Sequence, residues 1–77
     1  MHAYVLVSTK AGQAKKVAQL IAKLPGVRLA DCCWGRPDVI VFVEVADAKA
    51  LDRLVVGRIA KVRGVEATET HIVLASY

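Results

Sequence analysis

Two stretches of this 77-residue chain repeat each other at one constant offset. Ala22-Lys23-Leu24-Pro25-Gly26-Val27 aligns with Ala60-Lys61-Val62-Arg63-Gly64-Val65, and Tyr4, Val5 and Val7 align with Phe42, Val43 and Val45. Each half therefore supplies a strand, a helix and a second strand, so the predicted order is β-α-β-β-α-β. A duplication of this kind specifies the split βαβ, or ferredoxin-like, α+β sandwich. Right-handed crossovers then place both helices on one face of a four-stranded antiparallel sheet.

The local patterns agree with that order. His2 to Thr9 is β-branched and aromatic, with Tyr4 and Leu6 on one face and Val5 and Val7 on the other. A helix is predicted to open at Lys10-Ala11-Gly12, to bury Val17, Leu20, Ile21 and Leu24, and to stop at Pro25-Gly26. From Val27 to Val45 the chain reads as two strands joined by a tight turn at Gly35-Arg36-Pro37-Asp38. Asp47 is a good N-cap for a second helix with Leu51, Leu54, Val55, Ile59 and Val62 on its buried stripe, ending at Gly64. The last strand runs from Val65 to Leu74, with Thr68, Thr70, Ile72 and Leu74 on one face and Glu69, His71 and Val73 on the other.

Val39 to Val43 is apolar at every position, whereas a strand with one wet face alternates apolar and polar residues. Both faces want cover. The chain has helix enough for one, so the other is expected to meet a second copy, sheet against sheet. A domain of this size buries only about 60% of its unfolded surface, which favours self-association further.

Composition narrows the function classes. Net charge is +4, but of the eleven Lys and Arg only Lys15 and Lys16 adjoin. That is a solvated surface; a nucleic-acid site gathers its basic residues on one face, and no aromatic-interleaved RNA-binding strand is present. Cys32 and Cys33 are neighbours whose side chains leave a strand on opposite sides, so they do not grip one metal, and two cysteines are too few for a disulfide scaffold. Reduced thiols fit the cytoplasm. No signal-peptide pattern opens the chain and no apolar run is long enough to cross a bilayer, so a soluble, cytoplasmic protein without membrane contact is expected.

Few residues offer chemistry. His2 and His71 are edge or interface positions, and Asp31 and Glu44 are solvated strand positions. Asp38 differs, because after Pro37 in a tight turn its carboxylate either bonds nearby backbone N–H groups or faces a ligand. Gly35 provides a positive φ or a close backbone approach. Trp34, the sole tryptophan, reads as an anchor in a contact between copies. A phosphate loop, a C-x-x-C pair and a nucleophile beside a base are all missing, so no cofactor and no metal are expected.

Taken together, G-R-P-D at Gly35 to Asp38, the following V-I-V-F-V-E-V-A-D, and G-V-E-A-T-E-T-H-I-V-L from Gly64 to Leu74 resemble the effector domain of the leucine-responsive/asparagine-regulator (Lrp/AsnC) transcription factors. This is the RAM domain, named for regulation of amino acid metabolism, and the resemblance covers nearly the whole chain. It implies a ferredoxin-like fold, pairing through the sheets, and assembly of dimers into rings, octamers or decamers, with a free amino acid bound between dimers. Carried over onto this sequence, Gly35, Arg36 and Asp38 would form the effector loop, while Thr68 and Thr70 would line the site from the last strand. Asp38 would accept from the ligand's ammonium, and loop N–H groups and threonine hydroxyls would hold its carboxylate. Full-length members carry an N-terminal helix-turn-helix. This chain begins at the first strand, so a single domain over 1–77 is expected, with no direct nucleic-acid contact and a helix-turn-helix Lrp-type regulator as partner.

Two other readings share the fold. One is a small dimeric α/β-barrel enzyme of monooxygenase or isomerase type, with His71 or Asp38 as base in an enclosed cavity. The other is a purely structural assembly domain. The leading expectation is a non-enzymatic amino-acid sensor.

Overall fold

A computed structural model describes residues 1–77. The elements are β1 (His2–Thr9), α1 (Ala14–Ala22), β2 (Val27–Cys32), β3 (Val39–Glu44), α2 (Ala48–Val55), a 3-10 turn (Ile59–Lys61) and β4 (Val65–Ile72). All strand pairs are antiparallel and the sheet order is β2-β3-β1-β4, which is the ferredoxin-like βαββαβ arrangement.

The duplicated strands β1 and β3 lie side by side at the sheet's centre, with Ala3, Val5 and Val7 opposite Val43, Val41 and Val39. All six are fully buried, beneath Val17 and Ile21 of α1, Leu51, Leu54 and Val55 of α2, and Ile59. Each buried Val or Ile stabilises the fold by about 1.5–3 kcal/mol, so this one face carries the core. The alternate residues form the other face. There Tyr4 stands opposite Phe42 and Leu6 opposite Ile40, and Leu29 of β2 pairs with Phe42. Tyr4 and Phe42 rings meet at 4.9 Å, and the His2 ring stacks on Phe42 at 5.3 Å. This face carries no helix.

The repeated helix-to-strand joints turn on glycine for one shared reason. Gly26 and Gly64 have φ of 93° and 102°, and each backs onto the helix of the other half. A Cβ at Gly26 would lie 3.3 Å from Leu54 Cδ2, and one at Gly64 would lie 3.0 Å from Val17 Cγ2. Backbone conformation and close packing both ask for hydrogen at these two points.

The structure departs from the sequence expectation at element boundaries and at one core position. Lys10-Ala11-Gly12 is a turn, and α1 begins only at Ala14, because Gly12 takes a φ of 77° that no helix uses. Leu20, expected in the core, is exposed, and Ala18 is buried in its stead beside Val17 and Ile21. The second helix does not reach Gly64; α2 ends at Val55 and the chain resumes as the 3-10 turn. Gly57 permits the break: the backbone there brings the Arg53 carbonyl oxygen to 2.4 Å of where a Cβ would stand, which only glycine tolerates, and glycine costs about 1 kcal/mol in a helix interior. The stripe survives it, since Ile59 is fully buried and Val62 packs against the core. Finally, β4 ends at Ile72 and Leu74 is exposed. Asp47 caps α2 as expected, its Oδ1 accepting from the Ala50 N–H at 2.8 Å.

Candidate effector-binding site

The β2–β3 connection holds the loop singled out in the sequence. Gly35 has a φ of 102° with open space where a Cβ would stand, so glycine serves the turn and not a close approach. The Arg36–Pro37 peptide is cis. The loop closes where the Cys33 N–H donates to the Asp38 carbonyl at 2.7 Å and the Asp38 N–H donates to the Val7 carbonyl at 3.0 Å.

The Asp38 carboxylate is half engaged already. Its Oδ2 accepts from the N–H of buried Thr9 at 2.8 Å, and Arg36 Nη1 lies 3.9 Å from the same oxygen. The β1–β4 register shifts between Ser8 and Thr9, an irregularity of the kind that takes backbone groups out of the ladder. Asp38 supplies an acceptor there, so it ties its own loop to the neighbouring strand. Its side chain is 23% exposed, which leaves part of the carboxylate open to solvent.

Beside this loop lies an open cleft of about 550 Å³ lined by Leu6, Ser8, Arg36, Pro37, Ala67, Thr68 and Glu69. Leu6, Ser8, Ala67 and Glu69 belong to the helix-free face, so the cleft is its rim at the β1–β4 edge. Thr68 pairs with Val7, and that register directs its side chain to the helix-bearing face. Arg36 therefore lines the cleft next to the loop formed by Gly35 and Asp38, while Thr68 borders it from a strand position whose side chain turns to the other face. Thr70 does not join them. It pairs with Val5 and lines a separate groove of about 260 Å³ between α2 and β4.

Ser8 and Glu69 line the cleft although nothing singled them out beforehand. Glu69 is the intervening residue of the T-E-T strand pattern; period-two alternation sets it on the face opposite the threonines, but carries no signal that this face holds the cleft. Its Oε2 lies 3.2 Å from His71 Nε2. Trp34 is fully exposed. A larger groove of about 630 Å³, with Arg53 and Arg58 on its wall, lies at the far end of β3 from this loop.

On the helix-free face Glu44 accepts from Arg28 Nε at 2.9 Å and also from Arg28 Nη2, with His2 Nε2 at 3.3 Å. The Arg28 hydrogen bonds and charge, with smaller help from His2 and the N-terminus, hold the Glu44 carboxyl below its ordinary value of 4.5. A carboxylate whose pKa is depressed on folding stabilises the protein above its unfolded pKa and loses that contribution as pH falls through the folded one. Glu44→Gln should consequently melt below wild type at neutral pH, and the gap should close as pH falls below 4.5. A gap that stayed constant in a melting series through that range would show that the pair adds nothing to stability. Because the pair is solvent-exposed, the effect is small.

Several known proteins resemble this chain in sequence and in fold. An uncharacterised HTH-type transcriptional regulator of Pyrococcus horikoshii is 31% identical over 70 residues, which cover 91% of this chain and 44% of that protein. The chain spans less than half the length of the curated relatives it matches. A crystal structure of a Thermus thermophilus protein superposes with a TM-score of 0.91 at 30% identity, over 99% of this chain and 95% of that one. A transcriptional regulator of Neisseria meningitidis, solved in complex with L-Met, shares the fold at a TM-score of 0.83 and 24% identity, over 96% of this chain and 49% of its own. The Lrp/AsnC ligand binding domain matches residues 2–77, and the chain belongs to that family.

Proposed function

We propose that this chain is an amino-acid-binding effector module of transcription control, acting without catalysis in the cytoplasm through residues 1–77 as one ligand-binding unit. The observation that carries the reading is the cleft beside the Gly35–Asp38 loop. A free amino acid presents a carboxylate and an ammonium a few ångströms apart, and this cleft has a guanidinium from Arg36, a carboxylate from Glu69, a hydroxyl from Ser8 and the partly open Asp38 beside it. The L-Met complex of the Neisseria relative supports the same ligand class.

In this reading the helix-free face pairs with a second copy, dimers gather into octamers or decamers, and Gly35, Arg36, Asp38, Thr68 and Thr70 contribute to sites between them. The effector shifts assembly, or affinity for a helix-turn-helix relative, by binding one state better than the other.

A thermal-shift screen of the twenty amino acids at millimolar concentration tests this. A selective rise is expected for one or a few, since a ligand at one hundred times its Kd adds about 2.7 kcal/mol to the folded state. A flat response to all twenty would sink the effector reading.

A further inference from the structure

The groove at the far end of β3 has a volume of about 630 Å³, within the range of about 300–1,000 Å³ usual for small-molecule pockets. Pro25, Val45, Ala50 and Leu54 give it an apolar lining, and Arg53 and Arg58 stand on its wall. Neither guanidinium takes part in an ion pair or a side-chain hydrogen bond within the chain. Glu44, the one carboxylate on the lining, is already held by Arg28 and His2. The groove therefore carries two uncompensated cations. Arg53 lies in the last turn of α2, where a cation complements the helix dipole. Arg58 has no such role, because it occupies the N-cap of the 3-10 turn, a position that favours a short acceptor side chain, and it makes no capping bond there.

We propose that this groove is a second ligand site, for a small organic dianion with an apolar body, a phosphate monoester or a dicarboxylate, whose charged end is held by Arg53 and Arg58. A guanidinium presents paired N–H donors in a planar fork that matches the oxygens of a carboxylate or phosphate. Two full cations balance a double charge, which a lone carboxylate does not supply. The body lies along Leu54, Ala50 and Val45, and that apolar floor beneath the cations distinguishes the site from arginines dissolved in water. Gly57 and Gly26, also on the lining, have no side chain to fill the space. The groove shares no residue with the cleft beside the Gly35–Asp38 loop, and the six residues of β3 set the two about 20 Å apart. Its test is thus independent of the effector reading.

Phenyl phosphate titrated into the protein by calorimetry at low salt should bind saturably, one molecule per chain, and more tightly than inorganic phosphate because its ring reaches Leu54. Arg53→Gln and Arg58→Gln should each weaken it about tenfold or more through the loss of charge-assisted hydrogen bonds, with the melting temperature unchanged. Arg63→Gln removes the same charge from an exposed position elsewhere and should bind like wild type. Amide resonances of Gly26, Ala46, Ala50 and Gly57 should shift on binding, and those of Gly35 and Asp38 should not. Succinate as a second probe identifies the charged group: tighter binding of the ester points to a phosphate monoester and tighter binding of succinate to a dicarboxylate, and either supports the site. No saturable binding of either probe at millimolar concentration, or wild-type affinity in both Arg53→Gln and Arg58→Gln, would overturn the proposal. An equal loss in Arg63→Gln would also overturn it, by showing attraction to net charge alone. Shifts confined to the Gly35–Asp38 loop would refute this groove and place the anion in the effector cleft.

Discussion

Phe42→Asp should yield a folded monomer. Phe42 lies on the helix-free face, opposite Tyr4 and Leu29 in register and stacked by His2, while the core residues Val41 and Val43 beside it point the other way. The substitution therefore spares the core, and in the isolated chain the new carboxylate stays hydrated. In a sheet-to-sheet dimer it would be enclosed among Tyr4, Leu6, Leu29 and Ile40 of both copies. Burying an unpaired carboxylate costs several kcal/mol. At 1.4 kcal/mol per tenfold, a cost of about 4 kcal/mol raises the dimer Kd on the order of a thousandfold. Sedimentation velocity at micromolar protein distinguishes the outcomes. A variant still dimeric there would show that copies pair through another surface.

Asp38→Ala should lose both stability and ligand. Its Oδ2 accepts from the N–H of buried Thr9, and a buried donor left without a partner costs about 1–3 kcal/mol. For a domain of this size each kcal/mol moves Tm by about 4–8 °C, so a fall of roughly 5–20 °C is expected. Amino-acid affinity should drop at least tenfold, because the loop loses its tie to β1 and the site loses a carboxylate. Asp38→Asn separates the two roles: its amide oxygen still accepts from Thr9, so stability should largely return, while the charge needed to hold an ammonium stays absent. Thermal unfolding with titration calorimetry reads both. An alanine variant that melts like wild type would remove the Thr9 bond from the fold, and one that binds with unchanged affinity would remove Asp38 from the site.

The dual role of Asp38 marks where sequence reasoning stopped. A Pro-Asp turn announces a carboxylate that will bond backbone N–H groups, and it does. The partner is not in the turn; it is Thr9, 29 positions away, at the point where the β1–β4 register slips. Sequence spacing carries no signal for a register shift between strands that distant. The same holds for Thr68 and Thr70. Their T-x-T pattern correctly places them on one face, yet only the pairing with Val7 and Val5 reveals that it is the face turned to the helices.

The early end of α2 has a different cause. Its stripe of Leu51, Leu54, Val55, Ile59 and Val62 is continuous, so periodicity argues for one long helix, and Gly57 within it is the local signal against that. The buried positions match the expectation because a turn of 3-10 helix changes the backbone path while leaving Ile59 on the same side.

What this chain's sequence determined by itself is the element order, the central pair of strands, the helix-facing core and the bareness of the opposite face. Those follow from local periodicity, from the duplicated glycine joints and from counting how much apolar surface two short helices can cover. What the tertiary structure alone decided is which polar groups meet: that Asp38 reaches Thr9, that Arg36 and Glu69 line one cleft, and that Thr70 opens into another. Hydrophobic burial is non-directional and survives small errors of register, whereas a hydrogen bond or a shared cleft depends on contacts of a few ångströms between residues that only the folded sheet brings together.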